Sequence, residues 1–151
     1  MTIQLDRTTL IQEFNQKSHI ASRGIADLEQ RLNNRSGDEE QQEAERCILT
    51  ALYSARAILS KWLADDSDVI TEDGLGEESH YTLELSLSTR RAEGKAKALT
   101  MLIHSYVVAT ALCHFYTTTG YADAAKRFIE EAQASKKEII TLIHSKTPPT
   151  Q

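Results

Sequence analysis

The sequence predicts an all-α protein: a four-helix bundle with a long apolar central helix and a short strand or β-hairpin before it. Three observations lead there. The run YTLELSL alternates, with Tyr81, Leu83, Leu85 and Leu87 on one side and Thr82, Glu84, Ser86 and Ser88 on the other, which is the two-residue period of a half-buried strand. The segment KALTMLIHSYVVATALCHFY then changes period. Leu99, Leu102, Ile103, Tyr106, Val107, Leu112, Phe115 and Tyr116 recur at three and four, while Met101, Val108, Ala109 and Cys113 fill much of the opposite side, so this helix suits the middle of a bundle. Polar breaks at NNRSGD and TTTGY divide the remaining apolar stripes into helices.

The first helix is expected over 6–33, capped by Asp6 or Thr8, with Leu10, Phe14, Ala21, Ile25, Leu28 and Leu32 on its apolar face. The second, over 38–64, carries Ala44, Ile48, Ala51, Leu52, Ala55, Ile58, Leu59 and Trp62, and the short turn between the two makes them antiparallel neighbours. Residues 65–79 hold two glycines and seven acidic residues with no helical stripe, the pattern of an exposed loop. After the strand over 81–87 comes the central helix over 89–118. Gly120 suits the left-handed position that ends many helices. The last helix, over 121–146, sets Ala125, Phe128, Ile129, Ala132, Ile139, Leu142 and Ile143 on one side and stops before Pro148 and Pro149. The whole of 1–151 reads as one domain without internal repeats, a length that buries roughly 70% of its unfolded surface.

Composition narrows the class of function. With 22 acidic and 17 basic residues the net charge is -5, which argues against nucleic acid as a general partner. Cys47 and Cys113 sit on apolar helical faces and form no CxxC or Cys/His spacing, so they read as small hydrophobes in a reducing compartment. The N-terminal MTIQLDRTTLIQEF lacks a basic region followed by an apolar core, and no segment has the uninterrupted apolar length of a membrane span. The expected location is the cytoplasm, or a virion, with no membrane contact.

A search for catalytic patterns gives no site. The five histidines, His19, His80, His104, His114 and His144, form neither HxxxH nor HExxH, and the one Glu-x-x-His, Glu77 to His80, falls in the acidic loop. His104 and His114 are ten residues apart, about 80° in azimuth, and cannot share one metal. There is no Walker loop and no GxSxG, and Gly74-Leu75-Gly76 is too short a glycine run to cradle phosphate. Cys113 and His114 diverge by about 100° as helix neighbours and cannot act as nucleophile and base. No catalytic, cofactor-binding or metal-binding residue is therefore expected. An enzyme reading would rest on His104, Tyr106 and Glu93 converging.

The candidate partner surface lies between strand and helix. Arg90, Arg91, Lys95 and Lys97 crowd a helix start, where the dipole favours negative charge. They form either a solvated face or a contact with something acidic: the acidic loop of a neighbouring copy, or nucleic-acid phosphate. The strand leaves unpaired backbone groups that need partners. Val69, Ile70 and Thr71 can supply an internal hairpin, which is favoured over pairing with another chain because it needs no second molecule. Tyr81, Leu83, Leu85, Leu87, Arg90, Arg91, Lys95 and Lys97 are thus the expected partner-binding residues.

The acidic loop, the YxLxL strand, the basic helix start and the pattern LxxLIHxYVVxxALxxFY followed by TGYADAAKRFIEEA resemble the small helical neck proteins of tailed bacteriophages and prophages, the head-tail connector and head-completion proteins. The resemblance covers about half the chain, from Tyr81 to Glu131. It implies a structural, non-enzymatic component that self-associates or binds other virion proteins as a ring between portal and tail, with contacts through strands and helix ends. The helical hairpin of 6–64 departs from that pattern. The alternative is a cytoplasmic helical adaptor or regulatory protein that binds one host protein.

Overall fold

The computed structural model describes residues 1–64, 71–73, 79–88, 92 and 94–145. The fold is mostly helical, but the described residues form five α-helices rather than four, joined to a three-stranded antiparallel sheet. The chain starts with strand β1 (Thr2–Asp6) and enters α1 (Arg7–Ser22), where the sequence suggested one helix over 6–33. Asp6 ends the strand and caps the helix, its carboxylate accepting from Thr9 N at 3.2 Å. Gly24 then takes φ +85, which an L side chain rarely adopts, and the helix restarts as α2 (Ala26–Asn33).

Helix α3 (Gly37–Ile58) is capped by Ser36, whose hydroxyl accepts from Glu39 N at 3.1 Å, and Asp38, Glu39 and Glu40 complement the dipole in its first turn. It ends six residues short of the expected position, and a 3-10 turn (Ser60–Trp62) follows. Within the expected loop, Thr71–Asp73 is strand β2, paired with β3 (His80–Glu84) in the register Thr71 to Thr82 and Asp73 to His80. The internal hairpin is therefore present; Val69 and Ile70 lie outside the described residues. β1 takes the other side of β3, Thr2 opposite Glu84 and Asp6 opposite His80, so the sheet order is β1-β3-β2.

The central helix α4 (Ala96–Thr119) begins after Gly94, at φ +72, and Thr89 to Arg91 lie outside the described residues. It packs most extensively on α5 (Ala122–His144) and α3, and also on α1 and β1. Gly120 takes φ +89, and Tyr121 N donates to Tyr116 O at 2.9 Å, so the α4–α5 hairpin turns on the left-handed glycine the sequence suggested.

Aromatic rings bind the distal end of α4 to its neighbours. Phe115 meets Phe14 of α1 and Tyr116 edge-on at 5.8 and 4.9 Å, and Tyr116 stacks on Phe128 of α5 at 5.7 Å. The Tyr116 hydroxyl donates to Ser18 O at 2.7 Å, and burial pushes its pKa up to about 12. The guanidinium of Arg35 lies over the Phe115 ring and bonds Glu43 at 2.9 Å.

One expectation about α4 needs correction. By length and composition it qualifies as a membrane span, with a mean hydropathy of 1.5 over its most apolar 18 residues, half of which are buried inside the fold. The scattered polar residues Ser105, Thr110 and His114 break a continuous run without lowering the mean below that level. A core helix surrounded by α1, α3, α5 and β1 has the same composition for a different reason.

Candidate interaction surface

The structure divides the expected partner-binding residues into three groups. Tyr81, Leu83 and Leu85 are 1–2% exposed, and Leu87 is half-buried against the core. The predicted alternation is present, and the apolar face of β3 is filled by the bundle. The backbone of β3 is also engaged on both edges: β1 on one, β2 and then Leu63 on the other, with Ser86 N donating to Trp62 O at 2.6 Å and Ala64 N to Glu84 O at 2.9 Å. The favoured internal hairpin thus fills one edge of β3, and β1, which the sequence reading did not include, fills the other.

Lys95 and Lys97 separate. Lys97 is exposed, whereas Lys95 is only 6% exposed and its Nζ donates to Ser145 O at the end of α5. A cation before a helix start opposes the dipole of that helix. Here it meets the negative, carbonyl end of another, so the local rule broken in α4 is compensated by α5. The ring of Trp62 meets His144 edge-on at 5.5 Å nearby. Arg90, Arg91 and Glu93 lie outside the described residues.

Among the described residues the outer strands of the sheet are β1 and β2, and β1 has no strand on its outer side. Met1 and Leu85 exchange backbone hydrogen bonds at 2.8 Å, which sets the alternation of the ladder: Ile3 and Leu5 direct their N–H and C=O groups at β3, and Thr2, Gln4 and Asp6 direct theirs away from it. The side chains alternate too. Ile3 and Leu5 are buried, while Thr2, Gln4 and Asp6 are exposed. On the solvent face the Thr2 hydroxyl donates to Glu84 Oε1 at 2.8 Å, and the Gln4 amide lies 3.1 Å from His80 Nε2. Sequence reasoning missed this strand because TIQLD carries only two apolar residues; the period of two was present but short.

The remaining polar groups do not converge. His104 Nε2 and Glu13 Oε2 on α1 are 2.5 Å apart, and Lys17 joins the same carboxylate at 3.1 Å. Burial raises the Glu13 carboxyl, but the hydrogen bonds and charges of His104 and Lys17 outweigh it and hold the pKa below its ordinary 4.5. Tyr106 turns instead to α3, its hydroxyl 2.8 Å from Ser54 Oγ. Two members of the catalytic grouping considered above therefore point to different helices. Among the described residues no three of His, Cys, Asp and Glu come together as metal ligands would. Both cysteines are free thiols, and burial pushes Cys47 up to about 11.

Exposed apolar side chains mark the helical surface. Leu49 and Tyr53 lie four residues apart on the outer side of α3, and Ile20, Met101 and Ile129 are also exposed. A groove of about 230 Å³ between α4 and α5 is lined by Tyr106, Thr110, Cys113, Ile129, Ala132 and Lys136 among others. Larger open grooves of about 490 and 410 Å³ lie along α5, by Ala134, Lys137, Glu138 and Thr141, and along α1, by Thr9, Gln12, Glu13 and Gln16. No protein-family model, curated protein or solved structure matches this chain.

Proposed function

We propose that this chain is a non-enzymatic interaction protein, a phage- or prophage-derived neck component that works through contacts with other protein chains in the cytoplasm or virion. The observation that carries this reading is the edge of β1: an accessible strand flank on a fold whose candidate catalytic side chains are tied into separate helix–helix contacts. The resemblance of Tyr81 to Glu131 to neck proteins supplies the virion context. Exposed Lys97 belongs to the docking face, and Arg90 and Arg91 beside it in sequence extend the proposal. Leu49 and Tyr53 favour the second reading, an adaptor that presents one helix face to one host protein.

The gene's surroundings and its products test the two together. Portal, capsid and tail genes should flank it, and the purified protein should co-migrate with the product of a flanking portal or tail gene when the two are mixed. A location among host genes, with no binding to any such product, would contradict the virion reading and favour the adaptor.

A further inference from the structure

Resting on that interaction reading, we propose that the outer edge of β1 pairs antiparallel with β1 of a second copy, joining the two sheets, three strands from each, into one. The two-fold axis passes through Gln4, so that Gln4 faces Gln4, Thr2 faces Asp6, and Ile3 faces Leu5.

Three features of the strand support a second copy as the occupant. The first is hydrogen-bonding parity. Thr2, Gln4 and Asp6 all direct their free backbone groups outward, and the register about Gln4 matches each of them with another member of the same set. Asp6 keeps its carbonyl for the start of α1, so the pairing makes about four backbone hydrogen bonds: two between the Gln4 residues and one from each Asp6 N–H to a Thr2 carbonyl. The second is facing. That register keeps Ile3 and Leu5 of both copies on the buried side and sets Thr2, Gln4 and Asp6 on the solvent side, so no side chain changes environment. The third is the lack of edge protection. TIQLD has no lysine, no proline and no bulge, three of the devices that keep edge strands from pairing, and its one charged side chain, Asp6, sits at the end of the strand opposite Thr2 in this register. At the axis two neutral carboxamides meet, each able to donate and accept.

The axis makes residue 4 its own neighbour, which gives a specific test. Gln4→Lys and Gln4→Glu each place like charges opposite one another across the dimer, but in a mixture the charges are opposite. Gln4 is exposed and its amide takes no part in the β1–β3 ladder, so both variants keep the helical circular dichroism of the parent. Sedimentation velocity up to about 100 µM should show the parent as a dimer, each variant dissociating about fivefold more readily, and the equimolar mixture recovering the parent's association. Gln4→Pro, which removes the outward N–H, should be monomeric throughout.

A parent that associates equally well with either charge at position 4 overturns the β1 pairing while leaving the interaction reading intact. A parent that is monomeric throughout this range also overturns it, even if another virion protein later proves to add a strand there. If the parent self-associates as proposed but binds no flanking gene product, the edge proposal stands and the virion reading falls.

Discussion

Phe115 shows how single side chains hold this fold. It is 1% exposed and joins rings from α1 and its own helix under the Arg35 guanidinium. Phe115→Ala should cost about 3–5 kcal/mol in urea unfolding, because both the burial and the neighbours' contacts are lost. Its place on the apolar face was legible from the period of α4. Arg35 over that ring was not, because the partners of a turn arginine depend on which helices meet. Glu13 makes a pH prediction. Its folded pKa lies below the unfolded 4.5, so its pairing with His104 and Lys17 stabilises the protein above that pH and is lost as pH falls through the lower folded value. The stability difference between parent and Glu13→Gln should therefore be under about 1 kcal/mol at pH values above 4.5, given partial exposure, and vanish on acidification. Urea midpoints of both proteins across that range check it; a difference that grows in acid contradicts the sign.

Helices and strands were legible to the extent that their signals were local. The α4–α5 hairpin was, because Gly120 marks the left-handed position and the stripes on either side are long. An added Cβ at Gly120 meets nothing within 4 Å, so Gly120→Ala should lower stability only by the cost of the backbone conformation, about 1–2 kcal/mol, while Gly120→Asn should lose less. Thermal unfolding of both variants separates conformational cost from steric clash: an Ala variant much worse than this would mean the turn is crowded. Two boundaries were not legible. Gly24 breaks the first helix although the apolar stripe runs on through Ile25, Leu28 and Leu32, since periodicity alone tolerates an isolated glycine. β1 was missed because a strand of five residues has few positions from which to read a period, and its partner lies some eighty residues away.

At the scale of the molecule, a helix apolar nearly all round requires neighbours on several sides, and α4 has them in α1, α3, α5 and β1, with Met101 and Ser105 left on its open face. That much of the architecture was readable from one segment. The location of the interaction surface was not, because it depends on sheet order. Once β1 joins β3, the strand expected over 81–87 becomes the middle of the sheet, and among the described residues the outer strands are β1 and β2. Tyr81, Leu83 and Leu85 thus serve the core, and the proposed contact moves to Thr2, Gln4 and Asp6.

Amide hydrogen exchange read residue by residue at rising protein concentration tests that rearrangement most directly. The amides of Ile3 and Leu5 should be protected at every concentration because they bond β3, and those of Gln4 and Asp6 should exchange freely when dilute and gain protection as the protein concentrates. Unprotected Ile3 and Leu5 would contradict the sheet itself, and Gln4 and Asp6 exchanging freely at all concentrations would contradict the use of its edge.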